Sequence, residues 1–164
     1  MTTTPKKKTT TTRVVKLPPN PFIHEILDYV DSQKTKPKKV QALQEHRDDS
    51  LTAILIWNFD DRVISAVPEG QVPYKENEVP VGTDHTSLRR EWKNLYHFIK
   101  GGNDTLSSLR RETMFIQMLE GLHPEEAKII CLVKDKNLTE KYKLTREIVA
   151  AAFPDIAWGI HRGT

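Results

Sequence analysis

Apolar residues recur at helical spacing through most of residues 21–153, as they do on one face of an amphipathic helix. In the first such stretch they are Phe22, Ile23, Ile26, Leu27, Tyr29 and Val30. Asn20 followed by Pro21 predicts the start of this helix. An Asn side chain can accept a bond from a free helix N–H, and proline has no N–H to lose.

Two more short helices are predicted before residue 60. Residues 38–47 continue at helical spacing after a basic, polar break at residues 32–37. Asp48 or Asp49 can cap a third helix, which carries an apolar run into the core. Residues 62–68 favour a strand by propensity, although their position after a helix also permits a fourth short helix.

The second half of the chain predicts four further helices. The first begins at Thr86 or Ser87 and ends at Gly101 and Gly102, with these residues on one face: Leu88, Trp92, Leu95, Tyr96 and Ile99. The next begins at Thr105 or Ser107 and ends at Gly121. The last two begin at His123-Pro124 and at Thr145, and Pro154 ends the chain's final helix.

These elements predict an all-α protein with two blocks of short helices in one compact bundle. A single helical domain is expected over residues 21–158, with a long loop at about 68–86 that is rich in proline and glycine. Residues 1–20 are expected to be an extended arm of Thr, Lys and Pro, and residues 159–164 a short tail.

Positive charge is concentrated in the arm. It holds no acidic residue, and its basic residues are Lys6, Lys7, Lys8, Arg13 and Lys16. Because the whole chain has a net charge of +3, these five charges leave residues 21–164 with a net charge of −2. A basic arm on a small helical body predicts binding to a polyanion, most often nucleic acid.

A second basic cluster lies at the predicted joint of the first two helices and consists of Lys34, Lys36, Lys38 and Lys39. Side chains and helix N-terminal amides can face phosphates together at such a joint, although charge clusters also simply solvate turns. Arg89, Arg90 and Lys93 alternate with acids and are interpreted as a solvated helix face.

The sequence nominates no catalytic residue, metal ligand or cofactor. Its six histidines are scattered, and Cys131 is the one cysteine, so no zinc-ligand pattern is present. Glu125 and Glu126 are interpreted as a complement to the helix dipole, and Cys131 as a buried, inert thiol. No apolar run is long enough to span a membrane, and no secretory signal is expected, so an intracellular location is predicted.

The tryptophans could stack on bases, but Trp57 and Trp92 fall on predicted apolar faces and are expected in the core. Trp158 lies beyond the last helix. It either folds back over the core or receives a protein partner, and the sequence leaves both alternatives open.

The stretch from Trp92 to Pro154 resembles the N-terminal DNA-binding domain of ATP-dependent DNA ligases. The similarity is carried by the string PEEAKIICLVKD, followed by a loop and a last helix that ends in an apolar residue and Pro. The first block, FIHEILDYVDSQKTKPKKVQALQEHRDDSLTAILIW, is similar to the opening pattern of that domain. More loosely, the chain resembles small proteins of large tailed phages, which would place it in the host cytoplasm.

The resemblance implies that turns between helices grip the backbone of the minor groove. Besides the lysines at the first joint, it adds these positions to the DNA-binding set: Gly101, Gly102, Asn103, Lys134, Lys136 and Lys143. A Lys-x-Asp-Gly motif for nucleotidyl transfer does not occur in the sequence, so ligation by this chain alone is not expected.

The sequence therefore predicts a non-enzymatic module that contacts the phosphate backbone of duplex DNA and needs no cofactor. The alternative is a protein-interaction or phage virion-assembly component whose arm becomes ordered on a neighbouring subunit. A protein partner could then bind through the arm or near Trp158.

Overall fold

A computed structural model describes residues 17–78 and 86–158. This part of the chain is all-helical, which confirms the predicted fold class. Its α-helices are α1 (Ile23–Asp31), α2 (Lys36–Glu45), α3 (Asp49–Phe59), α4 (Leu88–Glu91), α5 (Ser108–Gly121), α6 (Pro124–Lys134) and α7 (Arg146–Ala152). Two 3-10 helices, Trp92–Phe98 and Leu138–Glu140, complete the helical elements of these ranges.

Several helix starts agree with their predicted caps, because a cap acts over a few residues of local sequence. The Asp48 carboxylate accepts the Leu51 N–H at 2.8 Å at the start of α3. Thr145 caps α7 in the same way, through the Ile148 N–H at 3.2 Å. His123 precedes α6 and accepts the Glu125 N–H on its Nδ1 atom at 3.0 Å.

The predicted starts of the first two helices are wrong by about one turn or less. Asn20 has a positive φ of 55°, so the backbone turns there and α1 begins only at Ile23. α2 begins at Lys36 with Thr35 as its cap, and Pro37 lies in the first turn, not in a break before the helix. Proline fits there because first-turn N–H groups have no partner within the helix.

Residues 62–68 form neither the strand nor the helix that their pattern permits. They run beside the chain that follows the first 3-10 helix, with an isolated bridge between Ser65 and Ile99. The bonds there are Ala66 N–H to the Phe98 carbonyl at 2.8 Å and Lys100 N–H to the Ile64 carbonyl at 2.7 Å. Of the predicted loop, residues 68–78 are irregular, and residues 79–85 lie outside the described residues.

The structure corrects the helix that was predicted to begin at Thr86 or Ser87 and to end at Gly101 and Gly102. Only Leu88–Glu91 is α-helical, and Trp92–Phe98 is a 3-10 helix. A 3-10 helix repeats every 3.0 residues, so it aligns positions three apart on one line. Leu95 and Phe98 are therefore buried, whereas Tyr96, which the α-helical pattern placed inside, is 47% exposed.

The two predicted blocks share one core. α6 packs against α1 and α3, and α7 from the second block packs against α2 from the first. Trp57 is 3% exposed in this core, as predicted, and Trp92 is partly buried against it. Trp158 folds back over the core at 8% exposure, and its indole N–H donates to the Phe153 carbonyl at 3.1 Å.

Candidate nucleic-acid interface

The turn between α1 and α2 carries a group of exposed lysines. Lys34, Lys36 and Lys38 are all exposed. Thr35 starts α2 between them by accepting the Lys38 N–H on its hydroxyl at 3.3 Å. This cap fixes the backbone of the turn, so the lysine side chains project into solvent from a backbone of defined conformation.

Tertiary packing adds Lys143 to this turn. Its backbone N–H donates to the Asp31 carboxylate, at the end of α1, at 2.8 Å. Lys34, Lys36, Lys38 and Lys143 together are called the joint lysines below. Sequence reasoning found these four residues but had no means of showing that Lys143 joins the other three.

α2 and α7 run side by side in the same direction. Their packing holds the turn between α1 and α2 next to the segment that leads into α7. Their beginnings are linked by an ion pair of 3.0 Å between the Lys36 ammonium and the Glu147 carboxylate. Their ends are linked by the Gln44 side-chain amide, which donates to the Ala152 carbonyl at 3.1 Å. The joint lysines therefore lie at the end of this helix pair where both helices begin.

Three of the four joint lysines form no ion pair with a described residue, and the Asp31 carboxylate at this turn accepts a backbone N–H. Lys34, Lys38 and Lys143 form no ion pair within residues 17–78 and 86–158. Lys36 forms one, but both partners are highly exposed, at 66% and 73%, and such pairs are weak in water. The four ammonium groups are thus available to an anionic ligand.

Lys39, another member of the predicted set, lies inside the fold. It is 8% exposed, and its ammonium donates to the Val30 and Asp31 carbonyls at 3.4 and 3.1 Å. Those carbonyls lack partners within α1 because they lie in its last turn. Lys39 therefore stabilises the end of α1 and presents no ammonium to the surface.

The ammonium groups of Lys134 and Lys136 also donate to backbone carbonyls of the fold. The Lys134 side chain is fully buried, and its ammonium donates to the Pro68 carbonyl, the Gly70 carbonyl and the Asp135 carboxylate at 2.7–2.9 Å. Lys136 donates to the Trp57 and Asp60 carbonyls at the end of α3, at 2.8 and 2.9 Å. Burial lowers the pKa of Lys136 below its usual value.

The glycine turn at residues 101–103 lies on another part of the bundle. It follows the 3-10 helix that packs against α3, α4 and α5, whereas α2 packs against α1 and α7. The Asn103 amide is 3.0 Å from the His97 ring nitrogen, and its backbone carbonyl accepts from Arg111 at 2.8 Å. A Cβ on Gly102 would lie 1.9 Å from the Tyr96 carbonyl oxygen, so this tight turn requires glycine.

The arm residues Lys6, Lys7, Lys8, Arg13 and Lys16 lie outside the described residues. Leu17, the residue after Lys16, is partly buried and packs against the core.

One carboxylate that the sequence assigned to a helix dipole has a larger structural role. Glu126 is 0% exposed, and it accepts the Ile23 N–H at 2.8 Å and the Leu88 N–H at 2.9 Å. It therefore caps the beginnings of α1 and α4 from within α6. Burial raises the pKa of Glu126, against the lowering effect of those two N–H donors.

The neighbouring Arg89 extends this network and is not the solvated residue that the sequence suggested. Its guanidinium donates to the Pro21 carbonyl at 2.9 Å and pairs with the Asp48 carboxylate that caps α3. The beginnings of α1, α3 and α4 are thus tied together by Glu126, Arg89 and Asp48. No local signal in the sequence marks this arrangement, since its partners are far apart in the chain.

Two histidines stack beside these helix starts. The His24 and His123 rings are 4.6 Å apart between centroids, and Phe22 contacts both. Burial, and then the nearby His123, lower the pKa of His24. The arrangement favours a neutral His24 ring.

Within the described ranges, no group of three or more His, Cys, Asp or Glu side chains is placed to hold a metal ion. Cys131 is half-buried, and burial raises the pKa of its thiol. The helices of residues 17–78 and 86–158 include none that is long and apolar enough to cross a membrane.

Comparison with known proteins finds one family. A protein-family model described as "Family of unknown function (DUF6433)" matches residues 26–140, which is more than half of the chain. This range begins within α1 and ends with the second 3-10 helix. No curated protein and no solved structure matches the chain.

Proposed function

The chain belongs to the DUF6433 family of unknown function, and we propose that it is a non-enzymatic module that binds the phosphate backbone of DNA through the joint lysines. The observation that carries this proposal is the backbone bond that places Lys143 beside the turn of Lys34, Lys36 and Lys38. All four lysines are exposed, and three of them form no ion pair with a described residue. The resemblance of the sequence to the DNA-binding domain of ATP-dependent DNA ligases also supports the proposal, because that domain contacts backbone phosphates with the turns between its helices.

The proposed interface is smaller than the sequence predicted. It leaves out Lys39, Lys134 and Lys136, whose ammonium groups are bonded to carbonyl oxygens inside the fold. It includes the basic arm, whose five charges would add affinity without adding sequence preference. Phosphate contacts position a protein on DNA but do not read bases, so weak sequence dependence is expected.

The test is a salt titration of binding to a short fluorescein-labelled DNA duplex, followed by anisotropy. The triple variant K34Q/K38Q/K143Q should bind more weakly. Its slope of log affinity against log salt should fall by roughly 0.9 for each phosphate that the variant no longer neutralises, or about 2 to 3 in all. Deleting residues 1–16 should reduce the slope further and leaves Leu17 in its place against the core.

A matched control distinguishes a localised interface from general attraction. The variant K75Q/K93Q/K100Q removes the same charge from exposed lysines elsewhere on the surface. It should retain most of the duplex affinity. Equal losses of affinity in the two triple variants, or an unchanged affinity in K34Q/K38Q/K143Q, would contradict the proposal.

A further inference from the structure

An apolar groove lies between α3 and the first 3-10 helix, away from the joint lysines. Its volume is about 290 Å³, and the side chains that form it include Ile56, Val63, Trp92, Leu95, Tyr96 and Ile99. Lys93 is the one charged residue among those that line it. The floor is closed by the buried Trp57 and Leu95, so the groove is a depression in the surface of the core.

One apolar side chain in the wall of this groove, Tyr96, is open to solvent. Within the described residues, the exposed large apolar side chains are Ile64 at 51%, Tyr96 at 47% and Leu109 at 78%. Tyr96 lines the groove, whereas Ile64 lines a separate depression beside Lys134 and Lys136, and Leu109 lies on α5. An exposed aromatic side chain on the wall of an apolar groove is typical of an interaction site.

The backbone holds Tyr96 outward before any partner arrives. The three-residue repeat of the 3-10 helix turns Leu95 inward and leaves Tyr96 outside. The turn at Gly102 packs directly on the Tyr96 carbonyl, where no larger residue fits. A tyrosine fixed in this way loses little conformational entropy on binding.

The one charged residue that lines the groove, Lys93, is positive, and Lys100 directly follows the lining residue Ile99. Lys93 and Lys100 are exposed, and neither forms an ion pair with a residue of the described ranges. The Lys93 ammonium lies 5.9 Å from the centroid of the Trp92 ring. The acids nearest in sequence to these two lysines are Glu91, which accepts a bond from the Thr86 hydroxyl, and the exposed Asp104. An occupant with carboxylates beside its apolar anchor would therefore complement the rim.

The residues that line the groove favour one kind of occupant over the others. A nucleobase would have to bury its polar edges against Ile56, Val63 and Ile99, which offer its edges no side-chain hydrogen bond, and unpaired polar groups are costly when buried. A second copy of this chain would bring two positive rims together. An aliphatic or aromatic side chain flanked by carboxylates has neither disadvantage.

We propose that this groove binds an acidic peptide segment of another protein, with one or two large apolar side chains inserted between Trp92 and Tyr96 and carboxylates paired with Lys93 and Lys100. The site is separate from the proposed DNA interface. Its occupant belongs to the class of short amphipathic segments that dock an apolar face into a groove.

The probe is a library of randomised peptides displayed on yeast and selected against the full chain, with the enriched peptides then synthesised with a fluorescent label. Enriched sequences should combine Asp or Glu with Leu, Phe or Trp. Their affinity should fall about tenfold or more in Tyr96→Ser, as expected for an anchor at the centre of an interface. It should fall similarly in the charge-reversed variant K93E/K100E.

Leu109→Ser is the matched control, because it also removes an exposed apolar side chain but lies on α5, outside the groove lining. It should leave peptide affinity unchanged, and urea unfolding should show all variants to be folded. The proposal is overturned if selection enriches no peptide or if the enriched peptides lack acids. Equal binding to Tyr96→Ser and to the unaltered chain would also overturn it.

Two further measurements test the rival occupants. Loss of oligothymidylate binding in Tyr96→Ser would assign the groove to single-stranded DNA. Loss of self-association in Tyr96→Ser, seen by sedimentation, would assign it to a second copy. Either result overturns the peptide proposal. Duplex binding through the joint lysines is measured separately with K34Q/K38Q/K143Q. The DNA-binding proposal and the peptide-binding proposal can therefore fail independently.

Discussion

Glu126 provides the most direct test of how this fold is held together. Its carboxylate is buried in α6 and receives the first N–H groups of two other helices, Ile23 at 2.8 Å and Leu88 at 2.9 Å. The substitution Glu126→Ala removes both bonds at once. It leaves two backbone donors inside the protein, at positions that water does not reach.

The expected cost follows from those two donors. A buried donor left without its partner costs roughly 1–3 kcal/mol, so two of them cost about 2–6 kcal/mol. Part of this is offset because Glu126→Ala also removes the unfavourable burial of a carboxylate, the effect that raises the pKa of Glu126. We therefore expect a loss of about 2–4 kcal/mol in the free energy of unfolding.

Glu126→Gln should lie between the unaltered chain and Glu126→Ala. The amide oxygen can still accept one N–H, but the amide nitrogen faces the other N–H as a second donor. One hydrogen bond is thus replaced by an unfavourable approach of two donors, while the side-chain volume is kept. A loss of about 1–3 kcal/mol in the free energy of unfolding is expected.

The neighbouring residue supplies the control. Glu125 has the same side chain on the same helix, but it is 37% exposed and pairs with Lys128 and Lys141 at 3.1 and 3.0 Å. Hydrogen bonds from those two lysines lower the pKa of Glu125 to about 2. Exposed pairs of this kind contribute about 0–1 kcal/mol, so Glu125→Ala should cost no more than that.

The assay is urea unfolding at pH 7, followed by far-UV circular dichroism on the three variants and the unaltered chain. Stability differences are read from the unfolding midpoint at constant slope. If Glu126→Ala destabilised the protein no more than Glu125→Ala does, the carboxylate would not be the shared cap of α1 and α4, and the reasoning would be refuted.

The other predictions concern the protonation of His24 and the difference between lysines that bond to carbonyls inside the fold and lysines that are exposed at the surface. Because the folded state lowers the pKa of His24, it binds fewer protons than the unfolded chain, so this residue's contribution to stability is present above pH about 6.5 and lost as the pH falls. His24→Phe keeps the stacking on His123 and should flatten the decrease in unfolding free energy between pH 7 and pH 5; an unchanged pH profile would contradict it. Lys136→Met should cost about 1–3 kcal/mol of stability, because Lys136 bonds two carbonyls at the end of α3. Lys143→Met should change the free energy of unfolding by no more than about 0.5 kcal/mol and should weaken duplex binding. A stability loss in Lys143→Met together with unchanged stability in Lys136→Met would contradict the division into exposed and internally bonded lysines.

How far the candidate site could be predicted depended on the range of the interactions involved. Lys34, Lys36 and Lys38 were identified from a basic turn between two helices, and they are exposed there. Lys39 has the same charge and lies one residue further on, yet its side chain turns inward to the end of α1. The sequence shows where a positive charge is, but not whether the carbonyls of a helix end lie within its reach.

The groove was missed for a related reason. The pattern of residues 88–99 fits an α-helix, which would bury Tyr96. The structure replaces its later part by a 3-10 helix, and the change from about 3.6 to 3.0 residues per turn moves Tyr96 to the surface. Packing of Gly102 on the Tyr96 carbonyl accompanies this change, and such a close approach is invisible in a one-dimensional pattern.

The sequence by itself determined the all-α class, the start of α6 at His123-Pro124 and the cap at Thr145, and it placed the start of α3 at Asp48 or Asp49. Helical periodicity and capping act within a few residues, so local sequence is enough for them. Tertiary structure alone decided that α7 lies beside α2, that Lys143 joins the first turn, and that Glu126 caps two helices distant in the chain. Those contacts join residues separated by 38–112 positions. Charges and polar groups take their final partners only when packing brings distant helix ends together, and local sequence carries no record of that choice.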